Sequence, residues 1–269
     1  MLVVAIIPAR FGSTRFPGKP LANATGKTLI QHVYERVCEA RRVSECVVAT
    51  DDQRIADAVE LFGGRAVMTR ADHATGTDRI AEVVAETGRP DDLVLNVQGD
   101  EPEIEPVALD RLIERMQSEP EYPCGTLACP FPADVDPGDP NRVKVVCDLR
   151  GRAMYFSRAQ TPFPRDATRA NEPRPWLLHL GVYAYRRSFL LELAAWPPTP
   201  LECIEQLEQL RILERGRSIA VEIVERASPG VDTPEDYEAF VSRWNARTRS
   251  RTAAARGERE NCLDGKRAS

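Results

Sequence analysis

Between residues 8 and 21 the chain reads PARFGSTRFPGKPL, which sets three cations, Arg10, Arg15 and Lys19, in a loop that also holds Gly12 and Gly18. Such a set suits a polyphosphate, because backbone amides approach closely at glycine while guanidinium and ammonium groups neutralise charge. The spacing is not that of a P-loop. That motif places four residues between its glycine and Gly-Lys and then a Ser or Thr, whereas here five residues separate Gly12 from Gly18 and Pro20 follows Lys19. Without that hydroxyl a metal ligand must come from elsewhere. Taken alone, the segment reads equally well as a solvated loop.

Two acids answer the need. In LVLNVQGDEPEIEP an apolar run ends in Gln98, Gly99, Asp100 and Glu101. Magnesium takes one or two protein carboxylates plus phosphate oxygens, so Asp100 fits the missing ligand, although an exposed acidic turn explains the same residues. In GVDTPEDYEAF, Thr233 at the N-cap, Pro234 at N1 and Asp236 at N3 form a capping pattern that leaves Asp232 outside the helix, free to bind metal.

Three further segments carry polar groups in ordered positions. WLLHLGVYAY divides by period two into His179, Gly181, Tyr183 and Tyr185 on one face and Leu178, Leu180, Val182 and Ala184 on the other. The polar face could line a pocket, or His179 could be a hydrogen-bonded structural residue. RADHATGTDRIAEVV puts Thr75, Gly76 and Thr77 at a helix start, suited to an anion or a ribose and equally to a plain N-cap. PLECIEQLEQLRIL predicts one helix from about 201 to 215, with Leu201, Ile204, Leu207 and Leu210 inward and Glu202, Glu205 and Glu208 on a solvated face.

The elements that must position these groups are alternating strands and helices. Apolar runs at 3–7, 46–50, 66–68 and 93–97 alternate with helical patterns at 28–40, up to Phe62, after Thr77 and at 106–117, which predicts an α/β fold with a mostly parallel sheet flanked by helices. Ligands in such sheets bind beyond the carboxyl ends of the strands. We expect residues 1–121 to form the nucleotide-binding part, 122–200 a strand-rich insertion, 201–247 the completion of the α/β domain, and 248–269, which lacks apolar periodicity, a disordered tail. With 42% hydrophobic and 29% charged residues the chain is too apolar for wholesale disorder. A formal net charge of −5 excludes a general nucleic-acid surface, so any anion site is local. Seven scattered cysteines without a C-x-x-C pair suggest neither zinc nor a redox motif. The N-terminal apolar run is too short for a signal peptide or membrane span, which favours the cytoplasm.

Together these segments resemble the 3-deoxy-manno-octulosonate (Kdo) cytidylyltransferases. The resemblance covers residues 3 to 240 and is carried by IIPARFGSTRFPGKPL, VATDD, MTRADHATGTDRIAEV, NVQGDEP, VKVV, YFSRA, HLGVYAYR, PLECIEQLEQLR and GVDTPED. It implies a Rossmann-like nucleotidyltransferase fold with an inserted segment that holds the sugar and mediates a homodimer. It also implies a reaction, CTP plus Kdo giving CMP-Kdo and pyrophosphate, with Mg2+ as cofactor. Carried over by residue, Arg10, Ser13, Arg15 and Lys19 would hold the triphosphate, and Gln98 with Thr75, Gly76 and Arg79 would lie near the nucleoside. Asp100 and Asp232 would ligate magnesium. Lys19, Arg10, Asp100 and Asp232 would be the catalytic set, and Arg165, His179, Tyr183, Glu208 and Gln209 the acceptor-binding set.

One departure bears on the acceptor: the family usually carries Lys or Arg immediately before its pocket histidine, and this chain has Leu178. By alternation Leu178 should face the core, which leaves Kdo as the expected acceptor. The alternatives are another small acid, 8-amino-Kdo or a phosphonate such as phosphonoformate. A nicotinamide dehydrogenase is disfavoured, since no G-x-G-x-x-G follows the first strand.

Overall fold

The computed structural model describes residues 1–12, 15–85, 88–166 and 175–265. Nine strands are present among these residues: β1 (Val3–Ala9), β2 (Glu45–Thr50), β3 (Ala66–Met68), β4 (Leu93–Asn96), β5 (Cys124–Pro130), β6 (Lys144–Cys147), β7 (Ala153–Ser157), β8 (Leu177–Arg186) and β9 (Ile219–Ile223). Seven lie in the order β3-β2-β1-β4-β8-β5-β9, and only β8 runs against its neighbours. β1, β2 and β4 are buried on both faces, which is why they read as continuous apolar runs rather than as alternation. The expected mostly parallel α/β sheet is therefore what forms.

Helices cover both faces. α1 (Leu29–Cys38) starts at Thr28, whose hydroxyl accepts the Gln31 amide at 3.3 Å. It buries Leu29, Ile30, Val33 and Val37, and each such side chain contributes about 1.5–3 kcal/mol on leaving water. α2 (Gln53–Leu61) starts at Asp52. α3 (Gly76–Ala85) packs on the opposite face through Ile80, Ala81 and Val84, and α4 (Pro106–Ser118) covers β5 and β9 with Leu109, Leu112, Ile113 and Met116. Gly125 in β5 permits that contact, because a Cβ there would stand 2.7 Å from the Met116 sulfur. α5 (Arg187–Ala194) follows β8 directly.

Three expectations are corrected by the structure. β5 and β8, assigned to the insertion, are strands of the central sheet, and only the β6–β7 hairpin with its flanking loops stands off it, attached through β6 to β8. The single helix expected over 201–215 is broken into α6 (Pro200–Glu205) and α7 (Leu210–Glu214) by Gln206, a non-glycine residue at φ 51 and ψ 49. The tail expected to be disordered from 248 continues α8 (Pro234–Gly265) as helix as far as Gly265; its run of Ala, Arg and Glu favours helix locally without any apolar stripe.

The break at Gln206 has a chemical reason. The three glutamates placed on a solvated face are engaged: Glu202 pairs with Arg211 at 2.8 Å, Glu205 accepts from the Ser157 hydroxyl at 2.7 Å and the Arg158 amide at 2.9 Å, and Glu208 meets the Thr77 hydroxyl. A straight helix could not serve these partners and also bury Leu207 and Leu210. The leucine stripe fails instead at Ile204, which is 76% exposed.

Candidate active site

β1 and β4 are adjacent and parallel, with Ile6 opposite Asn96, so the segments that follow them, 10–21 and 97–104, emerge side by side. The first closes on itself through the Gly18 amide and the Phe11 carbonyl, 3.0 Å apart, with Gly18 at φ 71. That conformation suits glycine. Gly99 lets the second loop approach the first, since a Cβ there would lie 3.1 Å from the Pro8 carbonyl oxygen. The segment before α8 docks on this pair, with the Val231 amide donating to the Asp100 carbonyl at 2.8 Å.

The three strand-end segments meet at Lys19. Its ammonium is 2.9 Å from Asp100 Oδ2 and 3.7 Å from Asp232 Oδ1, and it donates to the Val231 carbonyl at 2.8 Å. Arg15 reaches Asp232 Oδ1 at 3.2 Å. Arg10 donates to the carbonyls of His73 at 2.8 Å and Thr75 at 3.2 Å, tying the first loop to the start of α3. Of the expected catalytic set, Lys19, Asp100 and Asp232 are brought together in one cluster, while Arg10 is tied to the start of α3. As expected, Thr233 caps α8: Asp236 accepts from the Thr233 amide and the Thr233 hydroxyl from the Asp236 amide, at 2.9 and 3.2 Å. The Asp232 amide also donates to Asp236, at 3.0 Å, but the Asp232 carboxylate is left out of the cap.

Asp100 and Asp232 offer the hard oxygen donors that magnesium prefers. Among the described residues no group of three or more His, Cys, Asp or Glu side chains is placed to hold a metal. Two protein carboxylates completed by triphosphate oxygens and water is the donor set that fits.

Beside these loops lies a cavity of about 300 Å3 lined by Gly76, Thr77, Asn96, Gln98, His179, Gly181, Tyr183, Tyr185, Glu208 and Gln209 with a few apolar residues. The polar face of β8 does line a pocket. Alternation holds along the strand, for Leu178, Val182 and Ala184 join the core on the other face. Gln209 Nε2 and Tyr183 Oη are buried without a hydrogen-bond partner; Tyr183 Oη lies near Thr126 without a well-formed bond. Burial pushes the Glu208 carboxyl above its ordinary value, and it pushes His179 down to about 3. His179 therefore favours its neutral form here, before any ligand enters.

Several expected contacts sit differently. Arg79, expected near the nucleoside, is fully buried, with Nη2 3.0 Å from Asp51 and Nη1 on the Thr69 hydroxyl; it braces the ends of β2 and β3. Thr75 takes the capping role, exchanging bonds of 3.0 and 3.1 Å with Asp78. Arg165 is exposed and does not line the cavity, and Ser13 lies outside the described residues. Sequence reasoning missed Asn96, whose Oδ1 accepts from Gln98 Nε2 at 3.0 Å, and Thr126, which bonds the His179 ring at 3.1 Å. The signal for both was a single polar residue inside an apolar strand, LVLN and CGTLAC.

Comparison with known proteins bears on this arrangement. A family model described as cytidylyltransferase matches residues 4–219. The chain is 52% identical over 241 residues to a protein of Syntrophotalea carbinolica named 3-deoxy-manno-octulosonate cytidylyltransferase, covering 88% of this chain and 96% of that one. It is 49% identical over 245 residues to a Shewanella sediminis protein named 8-amino-3,8-dideoxy-manno-octulosonate cytidylyltransferase, covering 90% and 98%. The solved structure of a CMP:2-keto-3-deoxy-manno-octonic acid synthetase complexed with CTP superposes with a TM-score of 0.86 at 42% identity, over 92% of this chain and all of that one. A 4-diphosphocytidyl-2C-methyl-D-erythritol synthase, at 16% identity and a TM-score of 0.60 over 89% of this chain and 96% of that one, shares the fold alone. With the strand-end cations, the paired carboxylates and the polar cavity in place, the chain belongs to the 3-deoxy-manno-octulosonate cytidylyltransferase family.

Proposed function

We propose that the protein transfers CMP from CTP to Kdo, releasing pyrophosphate. The observation that carries this reading is the shared boundary at the end of β4. Gln98 lines the acceptor cavity, and two residues later Asp100 belongs to the cluster with Lys19 and Asp232. A triphosphate held by the first loop would present its α-phosphorus where these meet. Phosphoryl-type transfer needs positioning and neutralisation more than covalent chemistry from the protein. Arg10, Arg15 and Lys19 supply positive charge for the departing pyrophosphate. Asp100 and Asp232 would hold a magnesium ion, which when bound adds to that neutralisation. On the acceptor side, Gln209 Nε2 offers an unused donor and Tyr183 Oη an unused hydroxyl to a polyhydroxy acid.

Leu178 does not count against Kdo. It is 5% exposed, within the core and on the strand face opposite His179, so the missing basic residue lies outside the pocket. The relative named for the 8-amino sugar keeps that acceptor in the test. Pyrophosphate release should be measured with CTP and magnesium across Kdo, 8-amino-Kdo and phosphonoformate. We expect kcat/KM for Kdo to exceed the others at least about tenfold, a margin worth one good polar contact. Higher kcat/KM with 8-amino-Kdo would replace this reading, and no release with any acid would end it.

Two coarser properties complete the proposal. Among the described residues no helix is long and apolar enough to cross a membrane, which agrees with action in the cytoplasm. A homodimer is supported by exposed apolar side chains around the β6–β7 hairpin, Leu149 and Met154. Light scattering should return twice the monomer mass.

A further inference from the structure

We infer that Thr126 sets the proton position on the His179 ring, so that a neutral imidazole turns a hydrogen-bond-accepting Nδ1 to the cavity and selects an acceptor that places a hydroxyl there. The inference rests on the reading of the cavity as the acceptor pocket.

The argument begins with one hydroxyl. Thr126 is completely buried in β5. Its Oγ1 lies 2.7 Å from the Val182 carbonyl oxygen, 3.2 Å from the Leu180 carbonyl oxygen and 3.1 Å from His179 Nε2. A threonine hydroxyl has one proton and two lone pairs, and a carbonyl can only accept. The Thr126 proton is therefore committed to the backbone of β8, at Val182 by distance. Its oxygen then faces Nε2 with a lone pair, and the ring must answer with Nε2–H. An unprotonated Nε2 would set two lone pairs against each other inside a buried site, a costly arrangement.

The carbonyls are available because the pairing of β5 with β8 shifts register between Thr126 and Leu127, opposite Tyr183 and Leu180. The irregularity lets both the Leu180 and the Val182 carbonyl reach one side chain, as bulges beside active sites commonly do when they re-aim a group. Phe156 meets the His179 ring edge-on at 5.0 Å and Tyr183 is tilted against it at 5.5 Å, so the ring plane is held as well. Turning the ring over would replace Nε2 by a carbon at Thr126 and forfeit the bond.

What remains is Nδ1, which makes no hydrogen bond among the described residues. In the neutral Nε2–H form it carries a lone pair. It can accept from a hydroxyl but cannot bind a carboxylate, and the low basicity that burial imposes keeps it from acting as a general base. The acidic end of the acceptor must be recognised by other groups, and His179 reads a hydroxyl. Thr126 touches no substrate in this account and acts as a positioning residue.

The test uses full-length protein labelled with 15N at histidine. Its three imidazoles are read in a long-range proton–nitrogen correlation spectrum at pH 7, with His179 assigned by its loss in His179→Gln. The neutral Nε2–H pattern is expected in the unmodified protein and in Thr126→Ser. An Nδ1–H pattern or an imidazolium there overturns the inference without reference to any substrate. Thr126→Val should lose the single pattern and raise KM for the acceptor about tenfold, as loss of one hydrogen bond does, with KM for CTP and the circular dichroism spectrum unchanged and Thr126→Ser restoring the acceptor KM. An unchanged acceptor KM in a folded Thr126→Val also overturns it. If no acid supports pyrophosphate release while His179 shows the Nε2–H pattern, the acceptor selection falls with the proposed function and the proton assignment stands.

Discussion

Lys19 holds two carboxylates that, on the proposed reading, would ligate magnesium. Its side chain is only 12% exposed and its ammonium lies between Asp100 and Asp232, so in the nucleotide-free protein it neutralises the charge that a divalent cation would otherwise meet. On the proposed reading, a triphosphate arriving with magnesium would offer Lys19 new partners and free the acids. Lys19→Met should therefore lower kcat/KM for CTP by about 10²–10³, the scale for one preorganised charge contact, while tightening magnesium binding in the absence of nucleotide. Calorimetric titration of magnesium into both proteins checks the second effect, and weaker binding by the variant would show that lysine and metal do not compete. This cluster was legible in the sequence because strand ends in α/β sheets converge on ligands. Arg79 was not. Its partner Asp51 sits at the end of another strand, and only the pairing of β1 with β2 and of β2 with β3 brings that acid within reach. Thr126 and Asn96 were hidden because an isolated polar residue in an apolar strand carries no spacing to interpret.

At the scale of elements, strands and caps followed from local chemistry, and the failures came where tertiary partners overrode periodicity. The Leu201, Ile204, Leu207 and Leu210 pattern is a sound helical stripe, yet buried partners for Glu202, Glu205 and Glu208 prevailed and the chain turned at Gln206. Gln206 is exposed, so its left-handed backbone is strain that its side chain does little to offset. Gln206→Gly should stabilise the protein by about 0.5–1 kcal/mol, the relieved strain less the chain entropy that glycine adds. Gln206→Val should destabilise it. Urea midpoints measure both, and a destabilised glycine variant would mean that the glutamine side chain holds the turn. Because Glu208 follows the turn by two residues, the valine change should also weaken acceptor binding.

Across the whole molecule, α1 and α8 are joined at His32. Its Nε2 lies 2.6 Å from the Thr25 hydroxyl and its ring packs edge-on against Phe240 and Trp244 at 5.0 and 4.4 Å. Burial, followed by the nearby Lys27 charge, depresses its pKa to about 4. Above pH 6.5 the ring is neutral in both folded and unfolded chains and has no effect. As the pH falls from about 6.5 toward 4 the unfolded chain takes up a proton that the folded one refuses, so stability declines, by about 2 kcal/mol at pH 5. Urea unfolding at pH 7.5 and 5.0 should show a drop that His32→Gln reduces by that amount. Equal drops in the two proteins would locate the acid sensitivity elsewhere.

The reversal of β8 has a consequence for how the chain is made. β1 to β4 can pair among themselves as soon as they are synthesised, but the free edge of β4 belongs to β8, which begins roughly 80 residues after β4 ends. At about 5–20 residues per second that interval lasts on the order of 4–16 s. Throughout it the nascent chain presents the open edge of a largely apolar strand, where intermolecular pairing starts. Translation speed between Asn96 and Leu177 should therefore govern the soluble yield, and β8 serves the newborn protein as its guard against aggregation.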